Sequence, residues 1–141
     1  MDIYSALKGH PARVEAAVTG VAASAASLVA MAADHIAVEQ PARMMIHRAS
    51  GLAIGDARDL RDTADVLESL DGSIAEIYQS RAGGPADAWL DAMDRTTWYT
   101  AAEAVAAGLA DAVISNKTKS DPDRSRRTVT ARSSGHVPAH T

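Results

Sequence analysis

The chain contains no cysteine and no phenylalanine, and aromatic residues make up only 4% of its 141 positions. Without cysteine, disulfides, thiolate metal ligands and cysteine nucleophiles are excluded. Without phenylalanine, the core has to be assembled from Ala, Val, Leu, Ile and Met, and the many alanines favour close backbone approach. Long apolar runs are scarce too. The longest, 21–33, is too short to span a bilayer and too rich in Ala and Ser to insert well. Residues 1–10 lack the basic-then-apolar order of a secretory signal. These absences predict a soluble, cytoplasmic protein with no membrane partner. Hydrophobic residues still amount to 47%, enough for one core in one domain.

Positive charge is sparse in the body of the chain. Residues 1–115 hold eight Lys/Arg against sixteen Asp/Glu, a net of −8, whereas residues 116–141 hold six against two, a net of +4. An acidic body argues against nucleic acid as the main ligand. Beyond Asn116 the apolar pattern vanishes, so 1–115 is read as the folded domain and 116–141 as a disordered basic tail.

Along 1–115 the pattern alternates between strand and helix, which predicts a layered α/β fold. A helix is expected over 3–9, ended by His10-Pro11, and a strand over 13–18. After the Thr19-Gly20 turn, 22–33 reads as a buried helix. Strands follow at 35–39 and 43–47, the second buried on both faces because Met44, Met45 and Ile46 are consecutive. A glycine-containing loop, 48–55, leads to a long helix over 56–81, with Leu60, Ala64, Leu67, Ile74 and Tyr78 on one stripe. Gly83-Gly84-Pro85 breaks it. Short helices are expected over 86–93 and 101–107, the latter closed by Gly108, then a strand over 109–114.

The stretch with chemical content is Gly20-Val21-Ala22-Ala23-Ser24-Ala25-Ala26-Ser27. A strand enters a sharp turn and a helix leaves it, with Ser24 at the first helical turn. Backbone N–H groups there have no intrahelical partner, so an oxyanion formed at Ser24 would meet free donors. Bulky neighbours would block the substrate carbonyl, and these neighbours are alanines. Taken alone, such a serine is more often an ordinary N-cap. His47 changes that balance, because it ends an apolar strand at the rim of a sheet. A serine at a helix start followed by a histidine at a strand end has the makings of a nucleophile and its base.

The segment 20–27 with Met31-Ala32-Ala33-Asp34 resembles the active-site helix of ClpP-type peptidases. Arg43-Met44-Met45-Ile46-His47 resembles that family's histidine strand. Thr97-Trp98-Tyr99-Thr100-Ala101-Ala102-Glu103-Ala104-Val105 and Gly108-Leu109-Ala110-Asp111 resemble its C-terminal signature. The combination is most similar to phage and prophage forms, described as head-maturation proteases. The resemblance implies a ClpP/crotonase-like layered β-β-α superhelix. It also implies a serine endopeptidase that works through an acyl-enzyme, with Ser24 as nucleophile, His47 as base and the Ala25 backbone N–H as an oxyanion donor. No metal or organic cofactor is required. Implied partners are a peptide or protein substrate, further subunits in a homo-oligomeric ring stacked through the long helix, and an AAA+ ATPase or phage capsid proteins.

Two departures from the family pattern bear on activity. The triad acid falls at Thr96, so Asp94, two residues away, is the candidate third member; it reads equally well as a solvated helix-end charge. The strands and Gly-Gly turn that precede the first helix in the family have no counterpart before Met1, so an N-terminally truncated domain of weak activity is expected. Two rivals remain open: an assembly or scaffold module that keeps the fold without turnover, and a crotonase-like acyl-CoA enzyme that needs no Ser-His pair. Other polar candidates are weaker. His35 beside Asp34 reads as a cap, His136 and His140 lie in the tail, and Trp89 and Trp98 read as core or interface anchors.

Overall fold

Eleven elements run along the chain in the computed structural model, which describes residues 2–115. They are α1 (Asp2–Lys8), β1 (Glu15–Val18), β2 (Val21–Ala23), α2 (Ala25–Met31), β3 (His35–Glu39), β4 (Arg43–Ile46), α3 (Ala57–Ala82), α4 (Ala86–Asp94), β5 (Thr97–Thr100), α5 (Ala101–Ala106) and β6 (Ala112–Ile114). The basic segment expected to form a tail lies outside the described residues.

The first four strands are dealt alternately to two sheets; β5 then joins the sheet of β4, and β6 returns to the other. One has the order β1-β3-β6, all parallel; the other has the order β2-β4-β5, with β2 parallel and β5 antiparallel to β4. The units β1-β2-α2 and β3-β4-α3 each place one strand in each sheet before their helix packs down, which is the layered superhelix expected. Met31, Ile36, Val38, Met44, Ile46, Tyr78, Met93 and Leu109 are its largest fully buried residues among those described, with alanines between them. Asp111 helps close the layers. It accepts from the Ile36 N–H at 2.7 Å and pairs with Arg81, joining β3 to the end of α3.

Three expectations are corrected. The helix expected over 22–33 begins later, because Ala22 and Ala23, with Val21, form a strand that pairs with Arg43, Met44 and Met45. Residues 97–100 form a strand that the pattern reading left out, although Thr-Trp-Tyr-Thr is rich in β-formers. And β4 alternates in burial: Met44 and Ile46 are fully covered while Met45 is half-buried. Met45 faces the side of the sheet shared with Trp98, its ladder partner, which is 53% exposed.

Helix α3 starts at a capping box in which Asp56 accepts from the Arg58 and Asp59 N–H groups and Asp59 answers to the Asp56 N–H. At about 1.5 Å per residue it is ~39 Å long, and its first half projects. Leu60 and Ala64 of the expected stripe are exposed, and the residues it buries are Asp71, Ala75 and Tyr78. Among the described residues no helix is long and apolar enough to cross a membrane.

Gly108 ends α5 with φ 78°, and a Cβ there would meet Ala82 Cα and O at 3.1 Å. Gly108→Ala combines a left-handed backbone with a close approach to α3. It is expected to destabilise the fold by about 2 kcal/mol, seen as a lower denaturant midpoint at unchanged slope.

Candidate active site

Ser24 is the single residue between β2 and α2, and it turns the chain with φ 56° and ψ −126°. An L-residue pays of order 1–3 kcal/mol for such a backbone, so the surroundings must hold it. They do so from two sides. The Ser24 N–H donates to the Met45 carbonyl at 3.0 Å, fixing the elbow to β4, and the Ser24 carbonyl accepts from the Ser27 N–H at 3.0 Å. Alanines at 22, 23, 25 and 26 leave room for the turn. The hydroxyl makes no capping bond to the helix; the ordinary N-cap role is therefore not the one Ser24 plays.

Its hydroxyl instead faces His47. The residue follows β4 directly, and its Nε2 lies 2.7 Å from Ser24 Oγ. Strand β4 is the middle strand of its sheet, bonded on both edges, so the histidine springs from a rigid support. With the proton on Nδ1, Nε2 accepts the serine hydroxyl. Both side chains border an open cavity of about 220 Å³, bounded by Leu28, Leu67, Leu70 and Ile74. The Ala25 N–H, at the first helical position and on an exposed residue, has no acceptor within its helix. A larger groove of about 590 Å³ runs along β1 and β2. Among the described residues Glu15 is its only ionisable lining residue, so chemistry and not size marks the site.

Asp94 is not joined to His47, which corrects the third assignment made from the sequence. Arg48, the neighbour of His47, takes both of its oxygens, Nε to Oδ1 at 2.7 Å and Nη2 to Oδ2 at 2.9 Å. A two-point guanidinium–carboxylate pair is among the stronger polar contacts available. Those hydrogen bonds hold the Asp94 carboxyl below its usual range. The third guanidinium nitrogen reaches Asp71 at 3.3 Å, and Asp71, only 5% exposed, accepts from the Ala49 N–H at 2.6 Å. The segment just after the histidine is thereby fastened to α3 and α4.

The β4–β5 ladder ends at Ile46–Thr97; His47 and Thr96, the latter at φ 50°, are the residues that flank that last rung. Among the described residues no carboxylate hydrogen-bonds the imidazole.

The sequence reading brought Ser24, His47 and Ala25 to one place but missed Arg48, Asp71, Ser27 and Tyr78. Asp71 carried a usable signal, a carboxylate on the apolar face of a helix between Leu67 and Ile74–Ala75. Of the remaining polar candidates, Asp34 caps structure by accepting from the Val14 N–H at 2.8 Å. Trp89 is a core anchor, bonded to the Gly83 carbonyl at 2.7 Å and packed on Tyr78 with ring centres 5.8 Å apart. His136 and His140 lie outside the described residues. Among the described residues no group of three His, Asp or Glu side chains is arranged to hold a metal ion.

Comparison with known proteins bears on the same segment. The Clp protease family model matches residues 1–117. The ATP-dependent Clp protease proteolytic subunit 1 of Protochlamydia amoebophila is 35% identical over 118 residues, covering 81% of this chain and 57% of that protein. The ATP-dependent Clp protease proteolytic subunit of Bacteroides fragilis is 35% identical over 120 residues, covering 83% and 58%, and that of Pleurastrum terricola is 30% identical over 118 residues, covering 82% and 60%. The chain thus spans less than two thirds of the length of these curated relatives. With a family-wide match over nearly all of its described residues, the chain belongs to the Clp protease family.

Proposed function

We propose that this chain hydrolyses peptide bonds as a serine endopeptidase, through an acyl-enzyme on Ser24. The observation that carries this reading is the 2.7 Å contact between His47 Nε2 and the hydroxyl of a serine held at φ 56°. In the proposed course His47 removes the hydroxyl proton as Ser24 Oγ attacks the substrate carbonyl. The tetrahedral oxyanion accepts from the Ala25 N–H. The imidazolium then gives its proton to the leaving amine, and water, activated by the same histidine, releases the acid product. No metal or organic cofactor takes part. A peptide would lie extended beside 48–55, the loop that follows the base.

The wider setting is proposed on family likeness: a cytoplasmic protein acting in a ring of like subunits, with an AAA+ ATPase or phage capsid proteins as partners and phage head maturation as its context. A second reading, an assembly module that has lost turnover, is favoured by the diversion of Asp94 to Arg48. The acyl-CoA reading has less support, because a bonded Ser-His pair is superfluous to it.

Labelling with a fluorophosphonate, followed by mass-spectrometric mapping, separates these readings. An adduct confined to the peptide containing Ser24 is the expected result. No adduct on this chain, nor on a form extended to the length of its relatives, would leave the assembly module as the better account. Thioester turnover without an adduct would favour the third reading.

A further inference from the structure

Beneath the nucleophile lies a short chain of buried hydroxyls. Ser27 is completely buried, and its Oγ stands 2.6 Å from the Ser24 carbonyl oxygen and 2.7 Å from the hydroxyl of Tyr78. A serine hydroxyl has one proton. The carbonyl can only accept, so that proton points at Ser24 O, and Tyr78 has to donate to Ser27 Oγ. The direction of the chain follows: Tyr78 O–H to Ser27 O–H to the Ser24 carbonyl. Tyr78 is 1% exposed, and burial, partly offset by the bond to Ser27, pushes its hydroxyl up to about 12. It keeps its proton wherever peptide hydrolysis is feasible.

Packing alone gives no reason for these two oxygens. Ser27 and Tyr78 are both fully buried, where Ala and Phe would fill nearly the same volume without desolvating polar atoms. A pair of hydroxyls costs less than it seems only when each finds its partner, and here the final partner is the carbonyl of a residue in a strained conformation. That carbonyl shares one planar unit with the Ala25 N–H. Holding the oxygen therefore fixes the ψ angle of Ser24, and it aims the N–H that the mechanism offers to the oxyanion. Successive hydrogen bonds also polarise one another by about 10–30% each, so a carbonyl that receives two donors makes its own amide N–H a better donor.

We propose that Tyr78 and Ser27 are positioning residues for the reaction, a relay that holds and polarises the Ser24–Ala25 peptide unit. The proposal rests on the reading of Ser24 as nucleophile. Ser27 does not line the cavity that Ser24 and His47 border; Tyr78 does, but it is 1% exposed and its hydroxyl is bonded to Ser27. Their effect is confined to the state in which negative charge develops on the substrate oxygen.

The test compares the parent chain with Tyr78→Phe, Ser27→Ala and the double variant, each of which deletes only hydroxyl oxygens. Hydrolysis of a peptide ester is expected to fall about 5- to 20-fold in kcat, part of the 10²–10³ that loss of a whole oxyanion donor costs, with KM unchanged. The affinity of a peptide boronate, which forms a tetrahedral adduct on serine, is expected to fall by the same factor, while the matching free peptide acid binds as before. The double variant should be no worse than Ser27→Ala, because the two act in series. Variants with parental kcat and parental boronate affinity overturn the proposal. So does a loss shared equally between boronate and free acid, or a failure of both single variants to fold, since either makes the pair merely structural. A parent chain that takes no fluorophosphonate overturns the assignment of Ser24 and the relay with it; a labelled parent whose variants react at the parental rate overturns the relay alone.

Discussion

Thr96→Asp is expected to raise peptide-ester hydrolysis by this chain on the order of 10³-fold. Position 96 flanks the last rung of the β4–β5 ladder, Ile46–Thr97, on the side where His47 leaves β4, and Cβ atoms directly opposed in an antiparallel pair are about 4.5–5.5 Å apart, a separation we expect to hold one residue beyond the ladder. A carboxylate on a one-carbon stem can span that gap to Nδ1. There it would hold the productive tautomer and stabilise the imidazolium, a role whose loss costs about 10⁴ in trypsin. The backbone favours the exchange as well. At φ 50° a β-branched threonine is an outlier, whereas Asp and Asn are enriched in that region. Thr96→Asn supplies the control, since it brings the same backbone relief without the charge and should leave the rate near parental. Asp94 does not compete for the site, because both its oxygens are committed to Arg48. Equal rates for the Asp and Asn variants would show that position 96 does not reach the base.

Ser24→Ala should abolish the fluorophosphonate adduct, and His47→Ala should slow its formation about 100-fold. The second figure follows from non-additivity. In subtilisin, removal of all three triad members costs about 2 × 10⁶ and removal of the acid alone about 3 × 10⁴, so a pair already lacking its acid has roughly a hundredfold left to lose. Stability should move the other way at position 24. Ser24→Gly relieves a backbone costing about 1–3 kcal/mol and gives up an exposed hydrogen bond worth about 1 kcal/mol. The glycine variant is therefore expected to unfold at a denaturant concentration no lower than the parent. A residue that is dispensable to the fold and indispensable to the chemistry is what a nucleophile looks like in such a pair of measurements. An undiminished labelling rate in His47→Ala would remove the histidine from the mechanism.

What could be read from the sequence was local. The glycine turn, the alanines and Ser24 lie within eight residues, and the strand that delivers His47 announces itself in Met44-Met45-Ile46. The long helix was visible from its charge pattern and the Gly83-Gly84 stop. Its stripe is misleading in the first half, since Leu60 and Ala64 have the same hydrophobicity whether or not another element covers them, and both are exposed. Ala22 and Ala23 read as helix because alanine suits a helix, and only pairing with β4 makes them a strand. Asp94 was judged by its distance along the chain from a family position. No such count could reveal that Arg48, 46 residues earlier, would claim it. Ser27 and Tyr78 are 51 residues apart, and nothing in either neighbourhood points to the other.

The main chain itself brings the reacting groups together. Ser24 donates its own amide proton to Met45, and the β4–β5 ladder runs up to the residue before His47. These bonds are made by atoms common to all residues except proline at the donor. Drift in the interior, one aliphatic side chain for another, therefore leaves the spacing of hydroxyl and imidazole untouched. Over long evolutionary times such a scaffold can shed most of its ancestral identity, gain or lose its acid by a single codon change at position 96, and return to service without rebuilding the architecture around it.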